Sequence, residues 1–203
     1  GAGKICCGGV GLYSGLGGHG SVAFSIMDGD IHHQCQHQFL FLGIEPVKKE
    51  YIEKCKQEKV PFDSVIIKDM PKHKALYQAY KSIKSQNPDT VILHSITLFP
   101  IVPILRLLGI KVVSVDHNAN AIKTKFEWLS IIFLNIFANT QVYLTNNQLD
   151  DTKRRLGKFY LKLGRPVVIN NGIDTQLFSP KKQINFEAPF QIFAFGRFIR
   201  IKD

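Results

Sequence analysis

Short apolar runs alternate with longer stretches of mixed polarity along most of the chain, and this alternation predicts its architecture. Runs rich in Val, Ile, Leu and Phe predict strands over residues 4–10, 37–42, 63–67, 90–94, 111–115 and 142–144. The stretches between and after them predict helices over residues 21–27, 46–59, 72–85, 99–108, 125–137 and 146–156. Because strands alternate with helices, we expect an α/β fold with a doubly wound, Rossmann-like parallel sheet and right-handed crossovers.

Turn and capping residues predict where several of these helices begin and end. Pro46 is expected in the first turn of the second helix, where its missing N–H has no helical partner to lose. Gly109 is expected to close the fourth helix. Thr145 and Gln148 match the pattern of a capping box that opens the sixth helix.

The segment 166–180 changes the picture, because it indicates the end of one structural unit. A β-branched run, 167–169, suits a buried strand, and the pair Asn171-Gly172 tolerates the positive φ of a tight turn. A polar stretch that ends in a proline, 179–189, follows as a linker candidate. A further predicted strand, 190–195, ends in Gly196-Arg197.

Ligands of open parallel sheets bind beyond the carboxyl ends of the strands, and these ends carry candidate chemistry here. After the first strand, the glycine-rich loop 15–20 would let backbone N–H groups approach an anion. After the fifth strand, His117 could hydrogen-bond a sugar hydroxyl, with Asp116 as its partner. His94 and Ser95, after the fourth strand, are weaker candidates for lining an acceptor.

Basic side chains follow the last predicted strand. Arg197 and Lys202 could clamp a diphosphate and neutralise charge on a leaving group. Each of these candidates also has a purely structural alternative: a flexible glycine turn, a core histidine, or a solvated basic loop.

Together these residues resemble the family-four retaining glycosyltransferases of the GT-B fold. The segment Asn171-Gly172-Ile173-Asp174 is similar to their interdomain motif, although Asn170 stands where the family usually has proline. Gly196-Arg197 is similar to the opening of their second domain. The resemblance implies that residues 1–182 form the N-terminal, acceptor-side domain. Residues 183–203 would then be a linker and the truncated start of the C-terminal, donor-binding domain.

The resemblance also implies roles for individual residues. Gly17 and Gly18 would contact the donor phosphates and the acceptor. His117 would face the donor sugar and carry the catalytic role, and Arg197 and Lys202 would hold the diphosphate. No metal and no other cofactor is expected, because the cationic side chains take the part of a metal ion.

The implied activity is transfer of a sugar, with retention, from a nucleotide diphosphate sugar to a glycan or lipid-linked acceptor in cell-surface polysaccharide biosynthesis. The paired glutamates of this family would lie beyond residue 203, so we expect residues 1–203 alone to fold but to be inactive. Three alternatives stay open. The first is a dinucleotide-binding oxidoreductase of the NAD type, which would use the glycine loop and Glu45. The second is a non-catalytic nucleotide- or sugar-binding module. The third is a GT-B epimerase or phosphorylase.

Composition adds a preference for anionic partners. The formal net charge is +10, from 26 Lys and Arg against 16 Asp and Glu, which favours nucleotide phosphate or an acidic membrane surface. No nucleic-acid motif is present, so no nucleic-acid partner is expected. The apolar helix 125–137 is too short to span a bilayer and is either a core helix or rests on a membrane.

The cysteines and the N-terminus bear on the compartment. Four cysteines without a Cys-x-x-Cys pair indicate neither a zinc site nor a disulfide framework. No signal-peptide pattern opens the sequence. We therefore expect a cytoplasmic protein at the inner face of the membrane.

Overall fold

The structure is a computed structural model that describes residues 4–13, 19–157 and 165–172 together with Thr175 and Ser179; for 4–13 and His19 it describes the backbone alone. The strands of this part are Lys4–Tyr13 (β1), Cys35–Gly43 (β2), Phe62–Ile66 (β3), Thr90–Leu93 (β4), Lys111–Asp116 (β5), Thr140–Tyr143 (β6) and Pro166–Val168 (β7). The α-helices are His19–Asp28 (α1), Lys49–Gln57 (α2), Lys72–Gln86 (α3), Val102–Leu107 (α4), Lys125–Phe137 (α5) and Asn146–Leu156 (α6). Two 3-10 helices span Ile96–Ile101 and Asn120–Ile122.

The seven described strands form one parallel sheet in the order β3-β2-β1-β4-β5-β6-β7. Strand β1 lies in the interior of the sheet, with β2 and then β3 on one side of it. Strand β4 lies on the other side of β1, and β5, β6 and β7 follow outward from it. The predicted doubly wound parallel sheet is therefore confirmed. The direction of building reverses between β1 and β4, and open α/β sheets bind ligands at such switch points.

Apolar strands pack between helices on both sides of the sheet. The larger core joins Leu93 and Val112 of the central strands to Ile83 of α3 and to Ile131 and Leu134 of α5, all buried. A second, aromatic core joins α1, β2 and α2; its buried members are Ala23, Phe24, Phe39, Phe41 and Cys55. Because β2 contributes Leu40 and Leu42 to one core and Phe39 and Phe41 to the other, its sequence is an almost continuous apolar run. No helix in the described residues is long and apolar enough to cross a membrane.

The predicted helix 99–108 has a different form in the structure. It divides into the 3-10 helix Ile96–Ile101, which contains Pro100, and the short helix α4, which has Pro103 at its start. A proline has no N–H to donate and clashes with the preceding turn, so two prolines three residues apart prevent one continuous α-helix. Gly109, with φ of 79°, follows α4 and closes the segment as predicted.

Two other helix starts can be compared with the sequence. Helix α2 begins at Lys49 after an extended residue, so Pro46 lies in the preceding loop and not in the first turn as predicted. Helix α5 has the predicted bounds. It opens with a complete capping box, in which Thr124 Oγ1 accepts from the Glu127 N–H and Glu127 Oε2 accepts from the Thr124 N–H.

The chain divides into two compact units, Gly1–Asn171 and Gly172–Asp203. All strands and helices described above belong to the first unit. In the second, the described residues are Gly172, Thr175 and Ser179, and all three are exposed. The domain boundary expected near residue 183 and the strand predicted over 190–195 lie outside the described residues and stay predictions.

Candidate functional site

Polar side chains meet at the carboxyl edge of the sheet, close to the switch point. Strand β4 ends at Leu93 and is followed by His94, while β5 ends at Asp116 and is followed by His117. Strands β4 and β5 are parallel neighbours, so their ends lie side by side and bring the two histidines together. Gln148, in the first turn of α6 after β6, reaches the same edge.

The two histidines form a direct pair. His94 Nδ1 lies 3.0 Å from His117 Nε2, and the ring centroids are 5.2 Å apart with an interplanar angle of 26°. His94 is only 2% exposed, whereas His117 is half-buried. Ser95 lies beside them, with its Oγ 2.8 Å from Thr97 Oγ1. The sequence candidates His94, Ser95 and His117 thus line one small cavity of about 30 Å³.

Asp116, the last residue of β5, forms a buried ion pair. Its Oδ2 lies 2.9 Å from Lys123 Nζ, and both side chains are fully buried. Burial raises the pKa of the Asp116 carboxyl, and the positive charge of Lys123 opposes that rise. Oδ1 accepts the Asn118 N–H at 3.2 Å. The partner that the structure gives Asp116 is therefore Lys123, where the sequence suggested His117.

Lys123 also holds the loop that follows β5. Its ammonium donates to the carbonyl of Asn118 and, at 2.7 Å, to Asn120 Oδ1. With Asp116, these acceptors match the three N–H donors of a lysine. The Lys123 ammonium also lies 5.6 Å from the centroid of the Trp128 ring. A buried charge that is satisfied in this way fixes the backbone around His117.

Gln148 binds the same loop from the α6 side. Its N–H donates to Thr145 Oγ1 at 3.1 Å, which is the first half of the predicted capping box. The second half is wrong, because the Gln148 side chain is used elsewhere. Its Oε1 accepts the Leu144 N–H at 2.9 Å, and its Nε2 donates to the carbonyls of Asp116 and Asn118 at 3.2 and 3.0 Å.

Asn120 forms the third link between the loop and α6. Its Nδ2 donates to the Gln148 carbonyl, to Asp151 Oδ2 and to Thr152 Oγ1 at 2.9, 2.9 and 3.0 Å. The hydrogen bond from Asn120 Nδ2 to Asp151 Oδ2, together with the charge of Arg155, lowers the pKa of the Asp151 carboxyl. The loop 117–123 is consequently attached to both β5 and α6 through side-chain hydrogen bonds.

Glu127 connects the start of α5 to the site. Its Oε1 accepts from Asn118 Nδ2 at 2.7 Å. Partial burial alone would raise the pKa of Glu127, but hydrogen bonds from Thr124 and Asn118 and the charge of Lys123 lower it on balance. The residue that caps α5 therefore also orients the amide next to His117.

An open cleft of about 420 Å³ lies beside this network. The loop 117–121 forms one wall, and residues between Leu144 and Asp151 form the other. The described lining includes amide and hydroxyl side chains, among them Asn118, Thr145 and Asn147. Such groups can pair with the hydroxyls of a sugar or a nucleoside. His117 is the imidazole that this lining presents to the cleft.

The Asn-Gly pair has a conformation different from the predicted one. Asn171 and Gly172 are described and exposed, and neither has a positive φ. The positive φ that a tight turn of this kind would use is therefore not found at these two residues. The segment after β7 stays hydrogen-bonded to the segment at the end of β6. The Ile169 N–H donates to the Tyr143 carbonyl, and Asn170 Nδ2 donates to the Leu144 carbonyl.

Five candidates fall on residues outside the described part of the chain: Gly17, Gly18, Asp174, Arg197 and Lys202. Their roles stay predictions. Among the residues described, no group of three or more His, Cys, Asp or Glu side chains has an arrangement that would hold a metal ion.

The sequence analysis missed Lys123, Asn118, Asn120 and Gln148 as members of the site. The sequence carries a signal for part of this network, because His117, Asn118 and Asn120 directly follow the buried strand that ends at Asp116. Nothing local identified Gln148, because its carbonyl partners are set by the packing of α6 against the end of β5. Lys123 binds Asp116, Asn118 and Asn120, and these contacts depend on how the loop after β5 folds back on itself.

Comparison with known proteins shows similarity of structure. No family model matches the chain, and no curated protein matches it in sequence. Anabaena HepE in complex with UDP matches with a TM-score of 0.61 and 12% identity, over 88% of this chain and 47% of HepE. The lipopolysaccharide outer core galactosyltransferase WaaB matches with a TM-score of 0.59 and 15% identity, over 84% and 46%. Acinetobacter baumannii MurG matches with a TM-score of 0.55 and 21% identity, over 87% and 48%.

The chain therefore spans about half the length of the proteins it matches. At these identities the likeness concerns the fold. The described part of the chain has the Rossmann-like sheet of the N-terminal half of GT-B glycosyltransferases. The narrower family-four assignment stays a prediction.

Proposed function

We propose that the protein containing this chain transfers a sugar from a nucleotide diphosphate sugar to a hydroxyl acceptor. The observation that carries the proposal is the position of the His94–His117 pair and its cleft. Both lie at the carboxyl edge of the sheet next to the switch point, in a fold shared with a protein crystallised with UDP. Transferases need hydrogen-bonding groups at such an edge to orient a polyhydroxylated donor.

His117 is the residue we assign to the donor sugar. Its backbone is fixed by the Asp116–Lys123 ion pair and by Gln148, and its ring is fixed by His94. A group fixed in advance stabilises developing charge without reorganising during the reaction. Arg197 and Lys202 would hold the diphosphate, and the Gly17-Gly18 loop would contact its phosphates, as the sequence resemblance implies.

The finer features of the reaction follow from the resemblance. They are retention at the anomeric carbon, catalysis without a metal, and a glycan or lipid-linked acceptor in cell-surface polysaccharide synthesis at the cytoplasmic side of a membrane. The likeness to an outer core galactosyltransferase supports a glycan acceptor.

The test is a transfer assay with the coding sequence extended beyond Asp203 to its stop codon. The purified product is incubated with a panel of nucleotide diphosphate sugars, and acceptor-dependent release of nucleoside diphosphate is measured. We expect His117→Ala to lower kcat/KM by about 100-fold. The matched control is His73→Ala, because His73 is exposed on α3, and its rate should stay within about twofold of wild type.

Two results would contradict the proposal. One is tight NAD binding with no binding of any nucleotide sugar, which would favour the oxidoreductase alternative. The other is nucleotide-sugar binding without turnover by the extended protein, which would favour a binding module. NMR of the transferred sugar distinguishes retention from inversion, and turnover in excess chelator tests independence from metal.

A further inference from the structure

The amino edge of the sheet, opposite the edge where we place sugar transfer, carries another cleft. Its volume is about 690 Å³, larger than the cleft of about 420 Å³ described above. The end of α1 and the start of β2 form one wall, and residues between Glu58 and Pro61, before β3, form the other. Cys35 and His37, the first and third residues of β2, belong to this lining.

Asp30 holds the His37 ring in one tautomer. The His37 side chain is only 10% exposed, and its Nε2 lies 3.2 Å from Asp30 Oδ2. The same carboxylate accepts the backbone N–H groups of Gln34 and Cys35 at 2.9 Å each. An ionised carboxylate only accepts hydrogen bonds, so the proton of a neutral His37 is on Nε2 and the lone pair is on Nδ1. His37 Nδ1 is buried and has no hydrogen-bond partner among the described residues.

A buried lone pair without a donor indicates a missing cation. Leaving a polar atom buried and unpaired costs free energy, so each instance needs a physical cause. Histidine ligands of metal ions have this arrangement, because one ring nitrogen donates to a carboxylate and the other binds the metal. Asp28 and Glu58 also line the cleft, and their negative charges favour a cation over an anion.

The pairing of β1 with β2 places thiols on the same face as this imidazole. Side chains alternate along a strand, so Cys35 and His37 share the face on which Phe39 packs against Phe24 of α1. Cys6 of β1 is the register partner of His37 in the parallel ladder, and register partners share a face of the sheet. Two cysteines and one histidine therefore lie on one face, at the amino ends of two hydrogen-bonded strands.

We propose that Cys6, Cys35 and His37 bind a zinc ion at the amino edge of the sheet. Thiolate and imidazole are the ligands that Zn²⁺ prefers, and the cleft gives the ion and a fourth ligand a path to solvent. The described side chains alone contain no group of three ligands, and the register of β1 supplies the third. Spacing along the chain does not reveal this site, because its ligands come from two strands. The site needs no assumption about sugar transfer.

The first experiment is a titration of the reduced full chain with Co²⁺, which replaces zinc and reports its ligands by absorption. We expect one cobalt ion per chain, a thiolate-to-cobalt charge-transfer band, and displacement by added Zn²⁺. Cys6→Ser, Cys35→Ser and His37→Gln should each weaken Zn²⁺ binding by at least about 10-fold. The matched control is Cys7→Ser, because Cys7 is the register partner of Gln38 and lies on the other face of the sheet. Its affinity should not change.

The role of Asp30 has its own readout. Asp30→Asn replaces the carboxylate that orients the ring and should weaken Zn²⁺ binding by about 10-fold while the thiolate band remains. Circular dichroism without metal checks that each variant folds. Zinc should raise the melting temperature of wild type and Cys7→Ser but not that of Cys6→Ser, because only a folded site stabilises by binding.

A measurement on the wild-type chain does not depend on the folding of any variant. Zinc should protect Cys6 and Cys35, but not Cys7, from alkylation by iodoacetamide, with the modified residues identified by mass spectrometry. Equal alkylation with and without zinc would overturn the site. So would bound cobalt without a thiolate band, or a Cys6→Ser variant that binds like wild type, or an equal loss of binding in Cys7→Ser. The transfer assay tests the opposite edge of the sheet, so either proposal can fail without the other.

Discussion

His94 and His117 meet edge to edge through their ring nitrogens, with 3.0 Å between His94 Nδ1 and His117 Nε2. A hydrogen bond across this distance requires a proton on one nitrogen and a lone pair on the other. The tautomer of the buried ring is therefore coupled to the tautomer of the half-buried ring that lines the cleft. Whether His117 Nδ1 donates or accepts then depends on which tautomer His94 has.

The coupling predicts that His94→Phe will change the tautomer of His117 while keeping an aromatic ring at position 94. In wild type, the side-chain nitrogen shifts of His117 in long-range proton–nitrogen NMR spectra should report one dominant tautomer. In His94→Phe we expect different His117 shifts, because His117 Nε2 loses its contact with His94 Nδ1. The control His73→Phe, on the exposed side of α3, should leave the His117 shifts unchanged. Identical His117 shifts in wild type and His94→Phe would refute the coupling.

Removal of the Lys123 ammonium should be costly. Lys123→Met leaves the Asp116 carboxylate buried without its counter-charge, and breaking a buried pair in this way costs roughly 3–5 kcal/mol. Chemical denaturation of the variant measures the loss. Lys125→Met removes an exposed charge two residues away and should change the free energy of unfolding by no more than about 0.5 kcal/mol. A loss below about 1 kcal/mol for Lys123→Met would mean that the ion pair contributes little to the fold.

The same variant should show a particular pH dependence. Burial raises the pKa of Asp116 in the folded state, so folding favours its protonated form. The folded state of Lys123→Met lacks the opposing positive charge, and the pKa of Asp116 should rise further. Its deficit relative to wild type should therefore shrink as pH falls, because protonation removes the unpaired charge. A deficit that stays constant from pH 7 to pH 4 would contradict this account.

Glu127 has a pKa shift opposite to that of Asp116, yet its stabilising effect should also disappear as pH falls. Its pKa is lowered in the folded state, so its contribution to stability is present above the unfolded pKa and is lost as pH falls through the folded pKa. Glu127→Gln should cost about 1 kcal/mol at pH 7, and this cost should shrink as pH falls through the folded pKa. Glu50→Gln is a matched control, because Glu50 also lies in the first turn of a helix, but that helix has no side-chain cap. Thermal unfolding across pH compares the two variants.

The sequence predicted the sheet well because each strand is an apolar run set apart by turns, and the packing of helices on both faces follows from it. It also named His94 and His117 as separate candidates at strand ends, but it did not predict their contact, because that depends on β4 and β5 being neighbours in the sheet. It could not predict the contacts of Gln148. Thr145 and Gln148 match the sequence pattern of a capping box. The Gln148 side chain does not complete the box, because α6 approaches the end of β5 and Gln148 Nε2 donates to the carbonyls of Asp116 and Asn118.

One substitution separates two roles of the Gln148 side chain: capping helix α6 and binding the carbonyls that flank His117. If Gln148 completed a capping box, Gln148→Glu would be nearly neutral, since glutamate serves equally well at that position. In the structure, however, Gln148 Nε2 donates to two backbone carbonyls. Glutamate has no such donors and would bring a negative charge to two carbonyl oxygens, so we expect a loss of about 2–3 kcal/mol in the free energy of unfolding.

The Gln148 test has an internal control in the cap itself. Thr145→Ala removes only the acceptor for the Gln148 N–H and should cost about 1 kcal/mol. Because the carbonyls of Asp116 and Asn118 flank His117, Gln148→Glu should also disturb the His117 ring signals in NMR, and Thr145→Ala should not. Equal stability losses with undisturbed His117 signals in both variants would mean that Gln148 acts as a helix cap and takes no part in holding the site.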